Sequence, residues 1–212
     1  MQWSLVIPVK PLALAKSRLA DTAADGLRPG LALAFAQDTV AAALACPAVR
    51  DVAVVTDDVL AGRELAALGA RIVPDEPGSG LNSALAHAAA VVRATRPDGA
   101  LAALNADLPA LRPLELARVL DAAAEFTRAF LPDAAAIGTT LLAVAPGHEL
   151  RPAFGTDSRA RHRASGAAEL RPAAVDSVRQ DVDTGEDLRA ALALGVGPRT
   201  AAAAARLLIP GQ

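Results

Sequence analysis

The sequence predicts an α/β protein, a mixed and mostly parallel sheet flanked by helices. Three observations carry that expectation. Strand-like apolar runs alternate with longer runs of helical periodicity, the pattern of a layered sheet with right-handed crossovers. The stretch at 101–111, LAALNADLPAL, is apolar until Asn105 and Asp107, and Pro109 then stops any ladder or helix. The 53% hydrophobic share is mostly Ala, which suits helices. At 212 residues, one domain spanning 1–212 is the simplest organisation.

Residues 3–9 form the first strand, with Pro8 withdrawing its end from the ladder. A long helix follows over 31–45, where Leu31, Ala34, Phe35, Asp38 and Ala42 show helical spacing. The second strand is 51–56, and Asp57 or Asp58 caps a helix that runs through Leu68 and ends at Gly69. Residues 71–73 start a third strand, and 74–81 (PDEPGSGL) form a loop. Asn82 or Ser83 opens a helix to about residue 94, and the strand at 101–104 comes next. A helix follows from Pro113 to about Thr127. Strands at 129–132 and 139–145 flank a turn at Gly138, and 154–166 is a polar insertion. A strand at 178–183 and a helix at 184–194, ended by Gly195, precede a helical tail from Pro198.

Composition narrows the function classes. Twenty-one basic against twenty-three acidic residues give a formal charge of −2, which argues against a general electrostatic nucleic-acid binder. No Tyr, one Trp and four Phe leave no stacking platform for single strands. No secretory leader and no apolar run of membrane-spanning length is expected. The lone Cys46 reads as a small buried apolar residue and suits a reducing cytoplasm.

Four polar clusters carry candidate chemistry. In VKPLALAKSRL, residues 9–19, Lys10, Lys16 and Arg18 follow the first strand directly, a natural anion site, although neither familiar glycine-rich phosphate spacing is present. In LNSAL, Asn82 reads either as a group facing a base edge or as a helix cap. FGTDSRARHRASG, residues 154–166, reads either as a solvated basic helix or as a face for a small acidic ligand. If it is helical, Arg159 and Arg163 share that face, with His162 beside them. In DVDT, a strand would place Asp181 and Asp183 roughly 7 Å apart on one side, an arrangement that is unfavourable unless a cation or a basic group lies between them. Hard oxygen donors suit Mg2+, and no Cys/His cluster offers a zinc site. Alone, Asp107 reads as a cap or turn residue; with Asp181 and Asp183 it becomes the third carboxylate of a site at the strand ends.

Taken together, VIPVKPLALAKSRLA, LNSAL, NADLPAL, IGTT, FGTDSRARH and DVDTGEDLRAALALGVG resemble the 2-phospho-L-lactate / phosphoenolpyruvate guanylyltransferases of coenzyme F(420) biosynthesis, in the same order and spacing over nearly the whole chain. The resemblance implies a Rossmann-like, GT-A-like nucleotidyltransferase fold of the nucleotide-diphospho-sugar transferase type. It implies that Asp107, Asp181 and Asp183 hold two Mg2+ ions, and that Thr140, Gly155 and Ser158 bind a phosphorylated three-carbon acid. Lys10, Lys16 and Arg18 then lie in the triphosphate-binding stretch, with Lys16 and Arg18 serving catalysis beside Asp107, and Asn82 on the nucleotide side. The partners implied are GTP and the acid; a downstream transferase of the same pathway and a homodimer are further expectations. Two positions depart from the family pattern: its Gly-Asp-Leu-Pro is Ala106-Asp107-Leu108-Pro109 here, and its Asp-Thr-Pro is Asp183-Thr184-Gly185.

The implied reaction is transfer of GMP from GTP to phosphoenolpyruvate, the acceptor of the Ala/Arg-rich actinobacterial branch that this version of the motif resembles. The alternatives are 2-phospho-L-lactate as acceptor and a sugar-phosphate or molybdopterin nucleotidyltransferase, which would want a glycine-rich first loop. From another class comes a regulatory nucleotide-binding module, which the three intact carboxylates speak against.

Overall fold

A computed structural model describes residues 1–14, 27–76, 78 and 80–206. Among these, the strands are β1 (Trp3–Pro8), β2 (Val49–Val55), β3 (Arg71–Val73), β4 (Ala100–Leu104), β5 (Arg128–Pro132), β6 (Thr139–Val144) and β7 (Ala168–Glu169). They form one sheet in the order β3-β2-β1-β4-β6-β5-β7. Pairing is parallel across β3, β2, β1 and β4, antiparallel on both sides of β6, and parallel again between β5 and β7. The parallel half obeys the rule for strands joined by helical crossovers, and β6 is the reversed strand that makes the sheet mixed.

The helices are α1 (Arg28–Leu44), α2 (Val59–Ala66), α3 (Leu81–Thr95), α4 (Pro113–Ala123), α5 (Ser158–Ala164), α6 (Asp176–Arg179), α7 (Gly185–Leu194) and α8 (Pro198–Ala205). Strand alternation divides the core. Trp3, Leu5 and Ile7 pack with Ala36 and Val40 of α1, Leu65 of α2 and Leu116 of α4 on one face. Val6, Leu101 and Ala103 pack with Leu85, Ala88 and Val92 of α3 on the other. Every residue of β4 is buried, as expected of a central strand covered on both faces, and this is why its sequence is a continuous apolar run. No helix among the described residues is long and apolar enough to cross a membrane.

Local signals account for several boundaries. The Asp58 carboxylate accepts from Ala61 N–H at 3.0 Å and caps α2, and also accepts from Leu12 N–H at 2.8 Å. These backbone hydrogen bonds, Ala61 first, hold its carboxyl below the usual range. Thr184 and Asp187 form a capping box at the start of α7. Cys46 is buried, and burial raises its thiol pKa.

Two expectations are overturned here. The strand expected over 178–183 is instead α6 followed by irregular chain. Glu115 accepts from both Ser177 N–H and Ser177 Oγ, at 2.9 and 2.8 Å, which anchors a helical turn whose buried Val175 and Val178 are three apart. Asn82 does not cap α3 either: the cap position is Gly80, and no side chain caps that end.

The C-terminal helix is docked by one buried carboxylate. Asp38 of α1 is 5% exposed and accepts from Thr200 N–H at 2.7 Å and from Arg199 N–H at 3.3 Å, so it satisfies the first free amides of α8. A side chain at Gly197 would put its Cβ 2.3 Å from the Asp38 Cγ. Gly197→Ala is therefore expected to destabilise the protein by about 1–3 kcal/mol. Urea unfolding that finds the variant as stable as the parent would refute this docking contact.

Candidate active site

A cleft of about 650 Å³ opens at the carboxyl ends of β1 and β4, where ligands bind in open α/β sheets. Lys10, Asp107, Gly155, Ser158, Asp181 and Asp183, scattered over the whole sequence, all line it. The chain leaves β4 through Asn105, whose N–H donates to Thr140 O at 2.9 Å, and then turns at Ala106. Positive φ angles among the described non-glycine residues occur at Ala136, Arg151, Asp157 and Ala174. Ala106 is not one of them, so the family's glycine at this position is not demanded by backbone conformation.

The peptide after Asp107 is fixed at both ends. Its carbonyl accepts from Val182 N–H at 3.0 Å, and its N–H, on Leu108, donates to Thr39 Oγ1 of α1 at 3.0 Å. The first of these bonds sets the acidic segment against the strand end. Val182 is buried among Leu31, Phe35 and Leu188, while Asp181 and Asp183 on either side of it are less buried and face the cleft. The two carboxylates thus share a side, as a strand would have placed them, although the segment joins no ladder. Asn105 Nδ2 donates to Asp181 Oδ2 at 3.5 Å. Asp133 also lines the cleft, but its two carboxylate oxygens are engaged by Ile137 N–H and Gly138 N–H in the turn between β5 and β6. Among the described residues, no three His, Cys, Asp or Glu side chains come together as a group that could hold a metal ion.

The opposite wall is the loop at 153–158, and three side chains hold it by its backbone. Asn82 Oδ1 accepts from Phe154 N–H at 2.8 Å while its Nδ2 donates to Phe154 O at 3.1 Å. Arg161 donates to Phe154 O and Thr156 O. His162, completely buried, accepts from Ala153 N–H at its Nε2 (3.0 Å), and its Nδ1 lies 2.9 Å from Thr139 Oγ1. Since Nε2 is the acceptor, the neutral ring carries its proton on Nδ1 and donates it to Thr139. Phe154 stands edge-on to the imidazole at 5.1 Å between centroids, and Phe130 lies at 5.7 Å. Burial, with lesser contributions from Arg128 and Arg161, lowers the His162 pKa from 6.5 to about 4. Within this loop Gly155 has φ +109°, a conformation that side chains rarely adopt, and Asp157 occupies the left-handed region that Asp tolerates.

The arginines of α5 are not the open face for an acidic ligand that the sequence suggested. Arg159 and Arg163 both pair with Glu169 of β7, and Arg171 joins them. Hydrogen bonds from Arg159 first, and from Arg163, hold the Glu169 carboxyl at about 2. The ligand of that face is thus the protein's own carboxylate, ten residues on from Arg159. Thr140 is fully buried, with its hydroxyl lacking a hydrogen-bond partner among the described residues, and it is Thr139 that lines the cleft. Lys10 is exposed at the cleft, while Lys16 and Arg18 lie outside the described residues. Sequence reasoning passed over Thr39, Asp133 and the role of His162; their partners lie 69, 5 and 23 residues away, and only the first link of Asp133, across a turn containing Gly138, had a local signal.

The sequence matches the family described as "Guanylyl transferase CofC like" over residues 3–206. It is 84% identical over 211 residues to a phosphoenolpyruvate guanylyltransferase of Streptomyces avermitilis, covering 100% of this chain and 98% of that protein. It is 82% identical to the protein of the same description from Streptomyces coelicolor, with both chains fully covered. Among solved structures, a putative nucleotide-diphospho-sugar transferase from Desulfovibrio desulfuricans G20 superposes with a TM-score of 0.65 at 17% identity, covering 98% of this chain and 99% of that one. A Mycobacterium tuberculosis protein in complex with manganese superposes at 0.54 and 20% identity, over 91% and 99% of the two chains. These structures show the fold, the nucleotidyltransferase type that the sequence led one to expect.

The depressed pKa of His162 makes stability depend on pH. Above about pH 6.5 the ring is neutral in both folded and unfolded chains and contributes no slope. Between 6.5 and about 4 the unfolded chain takes up a proton that the folded chain refuses, so stability falls as the pH falls. The full loss is on the order of 3 kcal/mol. Urea unfolding across this range should show that loss in the parent but not in His162→Gln. Equal pH slopes in the two proteins would exclude a buried neutral imidazole.

Proposed function

The chain belongs to the family of CofC-like guanylyl transferases, and from that premise we propose that it transfers GMP from GTP to phosphoenolpyruvate, giving enolpyruvyl-diphospho-guanosine and pyrophosphate for coenzyme F(420) biosynthesis. The observation that carries the site assignment is the convergence of Asp107, Asp181 and Asp183 with the 153–158 loop on one cleft. A phosphate oxygen of the acid attacks the α-phosphorus of GTP, the bond to the β-phosphate oxygen breaks, and pyrophosphate leaves with the electron pair. The attacking phosphate is already ionised at neutral pH, so no general base is needed. The barrier lies in bringing two polyanions together, which makes catalysis a matter of positioning and charge.

The cleft fits a hard divalent cation. Its acidic lining offers carboxylate oxygens, Cys46 does not line it, and His162 is engaged on both ring nitrogens. Mg2+ keeps waters and takes up substrate phosphates beside one or two carboxylates. Asp107, Asp181 and Asp183 would hold two Mg2+ ions, which when bound neutralise the phosphates and polarise the α-phosphorus. Asp133, spent on its own turn, is left out of that set. Lys10, with Lys16 and Arg18, would draw the triphosphate and meet the charge of the leaving pyrophosphate. Gly155 and Ser158 in their loop, with Thr139 at the start of β6 in place of the buried Thr140, would form the acid pocket. Asn82, on the nucleotide side by resemblance, contributes through its hold on Phe154.

A cytoplasmic single-domain enzyme is part of this proposal, in keeping with a single, buried cysteine. A homodimer and a downstream transferase that accepts the product are its further partners. Incubation with GTP, Mg2+ and either phosphoenolpyruvate or 2-phospho-L-lactate, with the diphosphate product detected by mass, tests the reaction; product from the first acid is expected, and release of no pyrophosphate with either would reject the assignment. Asp107→Asn should lower turnover by at least about 100-fold while leaving the melting temperature within a few degrees. A near-normal rate in that variant would remove Asp107 from the site.

A further inference from the structure

Thr39 sits in the middle of α1, completely buried, and nothing in the chemistry above uses it. We propose that Thr39 is a positioning residue for Asp107, acting through its hydroxyl rather than its volume. The inference rests on the role given to Asp107 above. It comes from the geometry of a single peptide group. The carbonyl of Asp107 and the N–H of Leu108 belong to one planar unit, and both poles are bound: the oxygen by Val182 N–H and the nitrogen by Thr39 Oγ1, each at 3.0 Å. Pinning both poles of the plane restrains rotation about the Asp107 Cα–C bond, and so the direction in which its Cα–Cβ bond leaves the backbone.

The hydroxyl is itself oriented. It donates to Phe35 O at 2.8 Å, one turn back along α1, so a lone pair is turned toward Leu108 N–H. Leu108 is completely buried, so water cannot substitute as acceptor there. On the far side Pro109 restricts Leu108, and the carbonyl of Pro109 accepts from Gly197 N–H at 2.9 Å. The neighbouring Asp38 docks α8 by its carboxylate. Consecutive residues of one helix therefore hold the C-terminal helix and the turn carrying Asp107. If Thr39 merely filled space, Val, which has nearly the same shape, would serve as well.

The test compares Thr39→Val and Thr39→Ser with the parent and with Asp107→Asn. Steady-state rates are measured against GTP, acid and Mg2+, and Mn2+ alone is titrated into substrate-free protein, with free Mn2+ read by electron paramagnetic resonance. Thr39→Val is expected to lower kcat by roughly 10- to 100-fold, the scale of a misplacement near 1 Å. The KM for GTP should stay within about twofold, since what is lost is transition-state geometry rather than substrate binding. Mn2+ binding should weaken several-fold, and Thr39→Ser should restore both quantities most of the way to the parent's values. If Thr39→Val does not fold, Thr39→Ala against Thr39→Ser makes the same contrast, since these two differ by the hydroxyl alone. Parent-like kcat and Mn2+ binding in the hydroxyl-free variant, or a serine variant as impaired as it is, would overturn the proposal. Near-normal turnover in Asp107→Asn would instead refute the reading of Asp107, so the two failures are distinguishable.

Discussion

The site depends on the peptide group between Asp107 and Leu108. A central strand buried on both faces brings the chain to the sheet edge, but a strand end alone does not direct a side chain. Two hydrogen bonds on one peptide plane, one to α1 and one to the segment that carries Asp181 and Asp183, restrain the backbone from which that side chain leaves. These bonds are made by backbone and by a buried hydroxyl, not by the Asp107 carboxylate. Asp133 shows the contrast: its carboxylate is occupied in closing a turn, and it lies in the same cleft without being suited to a ligand's role.

The second wall uses neutrality for the same purpose. A histidine within a run of arginines would ordinarily invite a role as base or ligand. Burial against Phe130 and Phe154 keeps His162 uncharged, and only an uncharged imidazole can accept Ala153 N–H at one nitrogen while donating to Thr139 at the other. The surrounding positive charge is absorbed separately, with Glu169 taking Arg159, Arg163 and Arg171. A segment that reads in sequence as an acid-binding face or a solvated basic helix is thus tied to the protein's own Glu169 and lines the cleft through Gly155 and Ser158.

Much of this was legible in the chain. Apolar run, abrupt polarity and proline at 101–111 marked the strand end and its acid. Asp58, one of two aspartates offered as a cap, was readable because capping is local, between residues three apart. What failed were inferences in which a distant partner decides. The segment at 178–183 alternates like a strand, yet Glu115, 62 residues from Ser177, holds its start as a helical turn. Asn82 has the composition of a cap, yet its amide closes on Phe154, 72 residues on. The pairing of Asp181 with Asp183 survived the wrong secondary structure because burial of Val182 between them needs only local alternation, not a ladder.

The Asn82 clasp also bears on how two substrates can be brought into line. Asn82 lies in the first turn of α3, on the side that the family pattern gives to the nucleotide, and it grips both backbone polar groups of Phe154 at the root of the loop given to the acid. A displacement of one wall would therefore be passed to the other through two hydrogen bonds of 2.8 and 3.1 Å rather than through mobile side chains. In-line attack between two polyanions tolerates little error in their relative position. A reciprocal amide clasp on one side of the cleft and a doubly bound peptide on the other therefore answer the same requirement. Both hold the walls of the cleft by backbone.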